Sequence, residues 1–211
     1  MDPKAHWEAV YRNAAPTEVS WYQPHAERSL AMIQRVARDP ESPIIDVGGG
    51  ASVLVDDLLA AGYRNITVLD LASSALDDAR ARLGSRASSV TWLEADILET
   101  TFAEGAYAVW HDRAVFHFLT DPGDRTRYIA QVRRAVRLGG FVMVATYAAD
   151  GPTRCSGLDV ERYSPEALHG AFGPQFRLIA SEREQHRTPT GILQEFIYCL
   201  CRWEGAAGST A

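Results

Sequence analysis

The sequence predicts a doubly wound α/β sheet of seven strands, mostly parallel, that closes in a C-terminal antiparallel hairpin. Three observations predict it. From Ile44 onward, short β-branched runs alternate with segments of helical spacing, the order of a parallel sheet. Successive runs finish in an acid or a glycine turn: IIDV before Gly48, ITVL before Asp70, TWLEA before Asp96. In the last third, two apolar runs follow one another with only Pro189 and Gly191 marking the turn between them, and strands joined so directly run antiparallel. A chain of 211 residues suits one domain with a substantial core. That domain is predicted over residues 1–204, with 1–40 as a helical cap and 205–211 as a small, polar, disordered tail.

Each element has a local reason. Pro3 to Arg12 reads as a helix with Trp7 and Tyr11 one turn apart. After the loop NAAPTEVSWYQP, helical spacing resumes at Pro24, with Leu30, Ile33 and Val36 as a buried stripe. Pro40 and Pro43 end it before the first strand, Ile44–Val47. A helix over Val53–Ala61 stops at Gly62. The strand NITVLDL follows, then a helix from Ser73, whose hydroxyl is placed to cap it, to Leu83 and Gly84. SVTWLEADI and AYAVWHD are the third and fourth strands. DPGDRTRYIAQVRRAVRLGG is a long helix ending at Gly139, and FVMVATYA is the fifth strand. The loop DGPTRCSGLDVERY leads to a short helix with Pro165 in its first turn. FRLIASE and QEFIYCLCRW form the final hairpin.

Composition narrows the partners. The formal net charge is −6 and Lys4 is the only lysine. No Lys/Arg cluster follows a helix face, which argues against nucleic acid or an anionic membrane as a standing partner. The three cysteines show no metal-ligand spacing, so no metal is expected; Cys199 and Cys201 share one strand face as small core residues. The N-terminal stretch lacks the apolar centre of a signal peptide, and no apolar run is long enough for a bilayer span. A reducing cytoplasm is the expected compartment. The oligomeric state is left open.

The glycine turn carries the chemistry. A dinucleotide fingerprint requires G-x-G-x-x-G, but counting from Gly48 puts Val53 in the third glycine position, where a large side chain spoils close helix–strand packing. Present instead are Asp46 two residues before the turn, then Gly48, Gly50 and Ser52 at alternate positions. IIDVGGGAS resembles the first motif of the class I S-adenosylmethionine-dependent methyltransferases. VLDL, EADI, the HDRA strand end and RLGGFVMVATYA continue the likeness in order, over Ile44 to Trp203. The resemblance implies a Rossmann-like fold and S-adenosylmethionine as cofactor, with S-adenosylhomocysteine as its product. It implies that Gly48, Gly49 and Gly50 admit the methionine moiety and that Asp46 holds its ammonium group. Asp70 would accept both ribose hydroxyls, Asp96 would take the adenine amino group, and Leu71 and Ile97 would flank the ring. Ser52 replaces the family's usual third glycine. Each acid has a plainer alternative as a helix cap or turn residue, though three at consecutive strand ends favour a ligand.

Methyl transfer from a sulfonium needs a positioned, desolvated and unprotonated nucleophile. The string WHDRAVFHF beyond the fourth strand offers His111, Asp112, Arg113 and His117 as candidate catalytic residues. His111 or His117 would act as base, Asp112 would orient one of them or bind a cation, and Arg113 would take an acidic group or pair with Asp112. The alternative is a structural polar knot, with His117 buried between Phe116 and Phe118. Trp21 and Tyr22, on the SWYQPH segment with His25, are expected to form a lid, Trp21 against the cofactor and Tyr22 against the acceptor. Arg154, Cys155, Arg162 and Tyr163 are expected to line the acceptor side, and His186 to sit solvated at the hairpin turn. No [ND]-P-P-[FY] string follows the fourth strand and no Pro-Cys pair ends it, which argues against base-amino and cytosine C5 acceptors. The Trp-x-x-x-Tyr spacing, SWY and DRA look similar to thiopurine-type S-methyltransferases and to lysine-specific protein methyltransferases, with Ala114 where the latter carry glycine. The expected acceptor is a small molecule, a thiol or an amine; the alternative is a protein lysine. A nicotinamide-dependent oxidoreductase and a catalytically silent S-adenosylmethionine-binding protein are the remaining readings.

Overall fold

The computed structural model describes residues 2–205; the tail expected from 205 lies, from residue 206 on, outside the described residues. Helices α1 (Pro3–Asn13) and α2 (Glu27–Val36) precede β1 (Ile44–Val47), α3 (Leu54–Ala60), β2 (Ile66–Asp70), α4 (Ser73–Leu83), β3 (Val90–Glu94) and β4 (Tyr107–Arg113). Then come α5 (Pro122–Ala135), β5 (Val136–Tyr147), the two-residue strands β6 (Arg154–Cys155) and β7 (Leu158–Asp159), α6 (Pro165–Phe172), β8 (Phe176–Arg187) and β9 (Leu193–Trp203). Seven strands make one sheet in the order β3-β2-β1-β4-β5-β9-β8. The first five are parallel, and β9 runs antiparallel to both β5 and β8.

The strand period of two divides the core between the two sheet faces. Ile44, Val68, Val109, Met143 and Tyr198 face Met32 and Ile33 of α2, Leu54 and Leu58 of α3, and Leu76 of α4. Ile45, Val47, Trp110, Val144 and Ile197 face Tyr128 and Val132 of α5 and Leu168 and Phe172 of α6. The α2 stripe is centred as expected on Ile33, though Met32 and Ser29 are buried more deeply than Leu30 and Val36. Because β1 pairs with β2 on one side and β4 on the other, chain order reverses there, and the crevice beyond the strand ends is where such sheets bind ligands.

Four local expectations are corrected. Helix α5 ends at Ala135, not Gly139: Val136 is extended (φ −86°, ψ 127°) and buried. It pairs with Tyr107 before the register shifts to Val109 opposite Phe141. Ser73 does not cap its own helix. It is the first helical residue, and its N–H and hydroxyl donate to Glu8 of α1 instead. The loop after β5 contains the small antiparallel pair β6–β7. His186 is buried rather than solvated, its Nε2 donating to the Ser20 carbonyl at 2.7 Å.

Candidate functional site

The acids at the ends of β1 and β2 converge on the glycine turn. In β1–β4 pairing, Asp46 lies beside His111, and the two side chains meet at 2.7 Å between Asp46 Oδ1 and His111 Nδ1. A carboxylate can only accept, so Nδ1 carries the shared proton; Nε2 pairs with the Ser29 hydroxyl of α2 at 2.9 Å. The second carboxylate oxygen, Asp46 Oδ2, is buried and has no partner.

Tight glycine packing surrounds these acids. A Cβ on Gly49 would lie 2.6 Å from Asp46 Oδ2, and one on Gly50 would lie 2.5 Å from Asp70 Oδ2. Gly48 (φ +67°) and Gly50 (φ +27°) also occupy backbone that L-residues resist. The amides of Gly48 and Gly49 are already taken by the Leu69 carbonyl, at 2.7 and 3.1 Å. The turn's glycines therefore make room for carboxylates more than they present N–H donors at these two positions. Ser52 accepts from Leu54 N at 3.1 Å and so stabilises the start of α3.

Beside this turn is a cavity of 280 Å³. Asp70, Leu71, Ala95, Asp96, Ile97 and Leu98 form one end. Asp70 Oδ1 accepts from Ala72 N and Asp96 Oδ1 from Leu98 N. Burial, with Asp46 and Glu8 nearby, pushes Asp70 up to about 7. The other end is formed by Trp7, Trp21, Phe118, Cys155 and Leu158, with Tyr11 reaching back toward Asp70 beside Gly50. Trp7 is the hub of its aromatics, edge-on to Trp21 at 6.0 Å and to Phe118 at 5.0 Å. Burial pushes the Cys155 thiol up, favouring its neutral form. A smaller cleft on the far side of the turn is bordered by Asp46, Gly49, Ser52, Tyr22 and His111; Gly48, Tyr11, Trp21 and Arg113 border both.

Of the four candidate catalytic side chains in WHDRAVFHF, His111, Asp112, Arg113 and His117, only Arg113 lines the larger cavity. Its Nε donates to Tyr198 Oη at 2.9 Å, its Nη1 to the Trp21 carbonyl at 3.2 Å, and its Nη2 reaches Glu184 at 3.5 Å. The Tyr198 hydroxyl in turn donates to Glu184 at 2.8 Å. Strand alternation sends His111 to the α2 face and Asp112 to the α5 face. Asp112 is fully buried and accepts from Tyr128 Oη (2.5 Å), Val115 N (2.9 Å) and Phe116 N (3.1 Å); burial pushes it up to about 6. His117 is buried, its Nδ1 accepting from Tyr147 N at 3.3 Å, and burial with the nearby Arg113 charge lowers it to about 3. In place of a base beside the acceptor, the structure has a buried framework: His111 braces Asp46, and Asp112 fixes the turn after β4.

The acceptor-side expectations divide similarly. Cys155 lines the cavity. Arg154 instead pairs with Asp159 at 3.1 Å on the surface, and Arg162 donates to the Gly151 carbonyl at 3.1 Å. Tyr163 is buried against Phe116 with ring centroids 5.7 Å apart. Glu184 and Tyr198 were invisible in the sequence because their role depends on how the final hairpin folds back. Glu8 carried no signal beyond its place between Trp7 and Tyr11.

Comparison with known proteins fits this geometry. Residues 44–140 match the family model described as a methyltransferase domain. A zebrafish (Danio rerio) eEF1A lysine and N-terminal methyltransferase is 24% identical over 148 residues, 69% of this chain and 21% of its own length. The chain thus spans about a fifth of the length of the first curated relatives it matches. A structure reported for conversion of a disulfide bond into a thioacetal group during echinomycin biosynthesis superposes with a TM-score of 0.74 at 18% identity, covering 98% of this chain and 94% of that one. The Burkholderia thailandensis 1,6-didemethyltoxoflavin N1-methyltransferase, bound to 1,6-didemethyltoxoflavin and S-adenosylhomocysteine, superposes with a TM-score of 0.70 at 17% identity, covering 95% and 86%. At such identities these structures share the fold with this chain.

The turn held by Asp112 contains Ala114 at φ +73°, a conformation costly for any residue with a Cβ. Ala114→Gly is expected to stabilise the protein by about 1 kcal/mol, the relief of strain outweighing the added freedom of the unfolded chain. A rise in urea midpoint at unchanged slope would bear this out; an unchanged or lower midpoint would refute it.

Proposed function

The chain carries a class I S-adenosylmethionine-dependent methyltransferase domain, and from that premise we propose that it transfers a methyl group from S-adenosylmethionine to a small, uncharged acceptor, a thiol or an amine. We take residues 1–204 as one domain with 1–40 as its cap, working in the cytoplasm. Among the described residues, no helix is long and apolar enough to cross a membrane.

The residues present fit the cofactor. The unpartnered, buried Asp46 Oδ2 suits an ammonium donor, since a buried charge left half-satisfied is costly. Asp70 borders the cavity and suits a pair of hydroxyls. Asp96 with Leu71 and Ile97 suits a flat heterocycle with an exocyclic amine. Gly48, Gly49, Gly50 and Ser52 shape the turn, and Trp21 covers it. When bound, S-adenosylmethionine supplies a methyl group already activated on a sulfonium.

The observation that carries the acceptor reading is the other end of the cavity. Its wall is Trp7, Trp21, Phe118, Leu158 and Cys155, a surface that desolvates an apolar or aromatic molecule. Arg113 is engaged by Tyr198 and Glu184. Of the cavity acids, Asp70 and Asp96 belong to the cofactor end, and Asp124 is paired with Arg127 at 2.5 Å. His111, Asp112 and His117 lie behind the wall. No lining group is placed to strip a proton, which suits a nucleophile that ionises readily. A thiol, near roughly 8.5, is partly ionised at neutral pH and a weakly basic aromatic amine is already unprotonated, whereas a lysine ammonium, near roughly 10.4, keeps its proton. Transfer then forms the new S–C or N–C bond as the sulfonium C–S bond breaks, and the acceptor's proton passes to water.

A protein lysine is the second reading. The aromatic wall also suits an alkylammonium, and the zebrafish relative is named for that activity. Incubating the chain with methyl-labelled S-adenosylmethionine and either pooled small thiols and amines or a protein extract separates the two. Label in the small-molecule fraction is expected; label confined to protein bands would overturn the acceptor reading.

The Asp70 carboxyl gives a second test. In the free protein it sits at about 7, raised from 3.8 mainly by burial. That shift subtracts from stability as pH rises through this interval and is constant above it. Hydroxyl donors favour the ionised form, so binding lowers the carboxyl's affinity for its proton. Affinity for S-adenosylhomocysteine should therefore rise with pH through about 7, with a fraction of a proton released on binding at neutral pH. Calorimetry in two buffers of different ionisation enthalpy measures the release, and Asp70→Asn should abolish it and weaken binding about 100-fold. Buffer-independent heats would contradict this role for Asp70.

A further inference from the structure

Helix α1 covers the cavity with Pro3, Trp7 and Tyr11, yet its best-buried side chain points elsewhere. Glu8 is only 7% exposed. Its Oε1 accepts from Ser73 N at 2.7 Å and from the Ser73 hydroxyl at 2.8 Å, while Oε2 takes Arg12 at 3.0 Å. Ser73 opens α4, whose N-cap is Ala72, a residue with no side-chain acceptor. The free N–H groups and positive dipole end of a helix favour a carboxylate there, and here the carboxylate arrives from a different helix.

The turn that Glu8 grips is the one that shapes the ribose end of the cavity. Asp70 Oδ1 accepts from Ala72 N, immediately before Ser73, at 2.9 Å. Tyr11, one turn beyond Glu8 along α1, brings its hydroxyl within 3.2 Å of where a Gly50 Cβ would stand, next to Asp70 Oδ2. The other polar tie of α1 to the body is the Lys4–Glu94 pair, about half exposed on both sides, and such pairs hold little. Trp7 against Phe118 is the apolar tie.

We propose that Glu8 is a positioning residue that latches α1 onto the first turn of α4, so that covering the cavity and setting the Asp70–Leu71–Ala72 turn are one event and the cofactor leaves when the latch opens. This rests on the cavity being the S-adenosylmethionine site. Removing the latch shortens cofactor residence and raises the KM for S-adenosylmethionine. The methyl-transfer step at saturating cofactor is untouched, because Glu8 does not line the cavity.

The test is stopped-flow release of S-adenosylhomocysteine from the full chain, followed by the change in tryptophan fluorescence, to which Trp7 and Trp21 at the cavity contribute. Glu8→Ala should release it about tenfold faster, the loss of charge-assisted hydrogen bonds. Glu8→Gln, whose amide oxygen still accepts, should restore most of the difference. Ser73→Ala, which removes one of the two bonds, should fall between them, and Lys4→Ala should release at the unaltered rate. Single-turnover methyl transfer at saturating cofactor should match in all four. If the unaltered chain binds S-adenosylhomocysteine but Glu8→Ala and Ser73→Ala release it at the unaltered rate, the latch is overturned and the cofactor site stands. If Glu8→Ala does not fold, unaltered release from Ser73→Ala overturns it equally. An unaltered chain that binds no S-adenosylhomocysteine removes the cofactor reading and the latch with it.

Discussion

A carboxylate that the fold buries and only half satisfies governs this site. Asp46 spends one oxygen on His111 and leaves the other unpartnered in the interior. Much of the surrounding structure follows from accommodating it. The parallel pairing of β1 with β4 sets Asp46 beside His111, Ser29 of α2 holds the far side of the imidazole, and Gly49 must lack a side chain because a Cβ would meet the carboxylate at 2.6 Å. An isolated buried charge costs several kcal/mol, so the free oxygen is tolerable where a cationic donor completes it. In our account that donor is the ammonium group of S-adenosylmethionine.

The same crowding repeats one strand over. Gly50 leaves room for Asp70 as Gly49 does for Asp46, and burial pushes the Asp70 carboxyl up to about 7. The two ends of the cavity then divide the work. In our account the acids bind and orient the cofactor, while the aromatic wall excludes water around the acceptor. Arg113 stands between both clefts, tied to the last two strands through Tyr198 and Glu184. The terminal hairpin therefore helps to set the cavity's charge.

The parallel sheet was legible because each strand announced itself locally, by a β-branched run, an acid and a helix-starting turn. Asp46, Asp70 and Asp96 could be placed together from that alone, since adjacent parallel strands end on one edge. What local signals could not supply was direction and distance. Whether His111 or Asp112 faces the cleft depends on the phase of β4, and that phase sends one toward α2 and the other to Tyr128 of α5. Arg154, Arg162 and Tyr163 share a loop with Cys155, but the β6–β7 turn brings only Cys155 of these four to the cavity. Glu8 capping α4 joins residues 65 apart in the chain, and no pattern within either helix encodes that pairing. The RLGG stretch reads as a helix end by composition; burial of Val136 beside Tyr107 of β4, inside the sheet, converts it to strand.

The account depends most directly on the unpartnered oxygen of Asp46, and calorimetric titration of Asp46→Asn with S-adenosylhomocysteine tests it. The amide keeps the size of the side chain and an acceptor for His111, but loses the charge that the ammonium group would meet. The unaltered chain should bind with saturable heat and the variant about 100-fold more weakly, the cost of leaving a buried cation without its counter-charge, at an unchanged urea midpoint or a higher one. Equal affinities for the two proteins would contradict the assignment of this carboxylate to the cofactor.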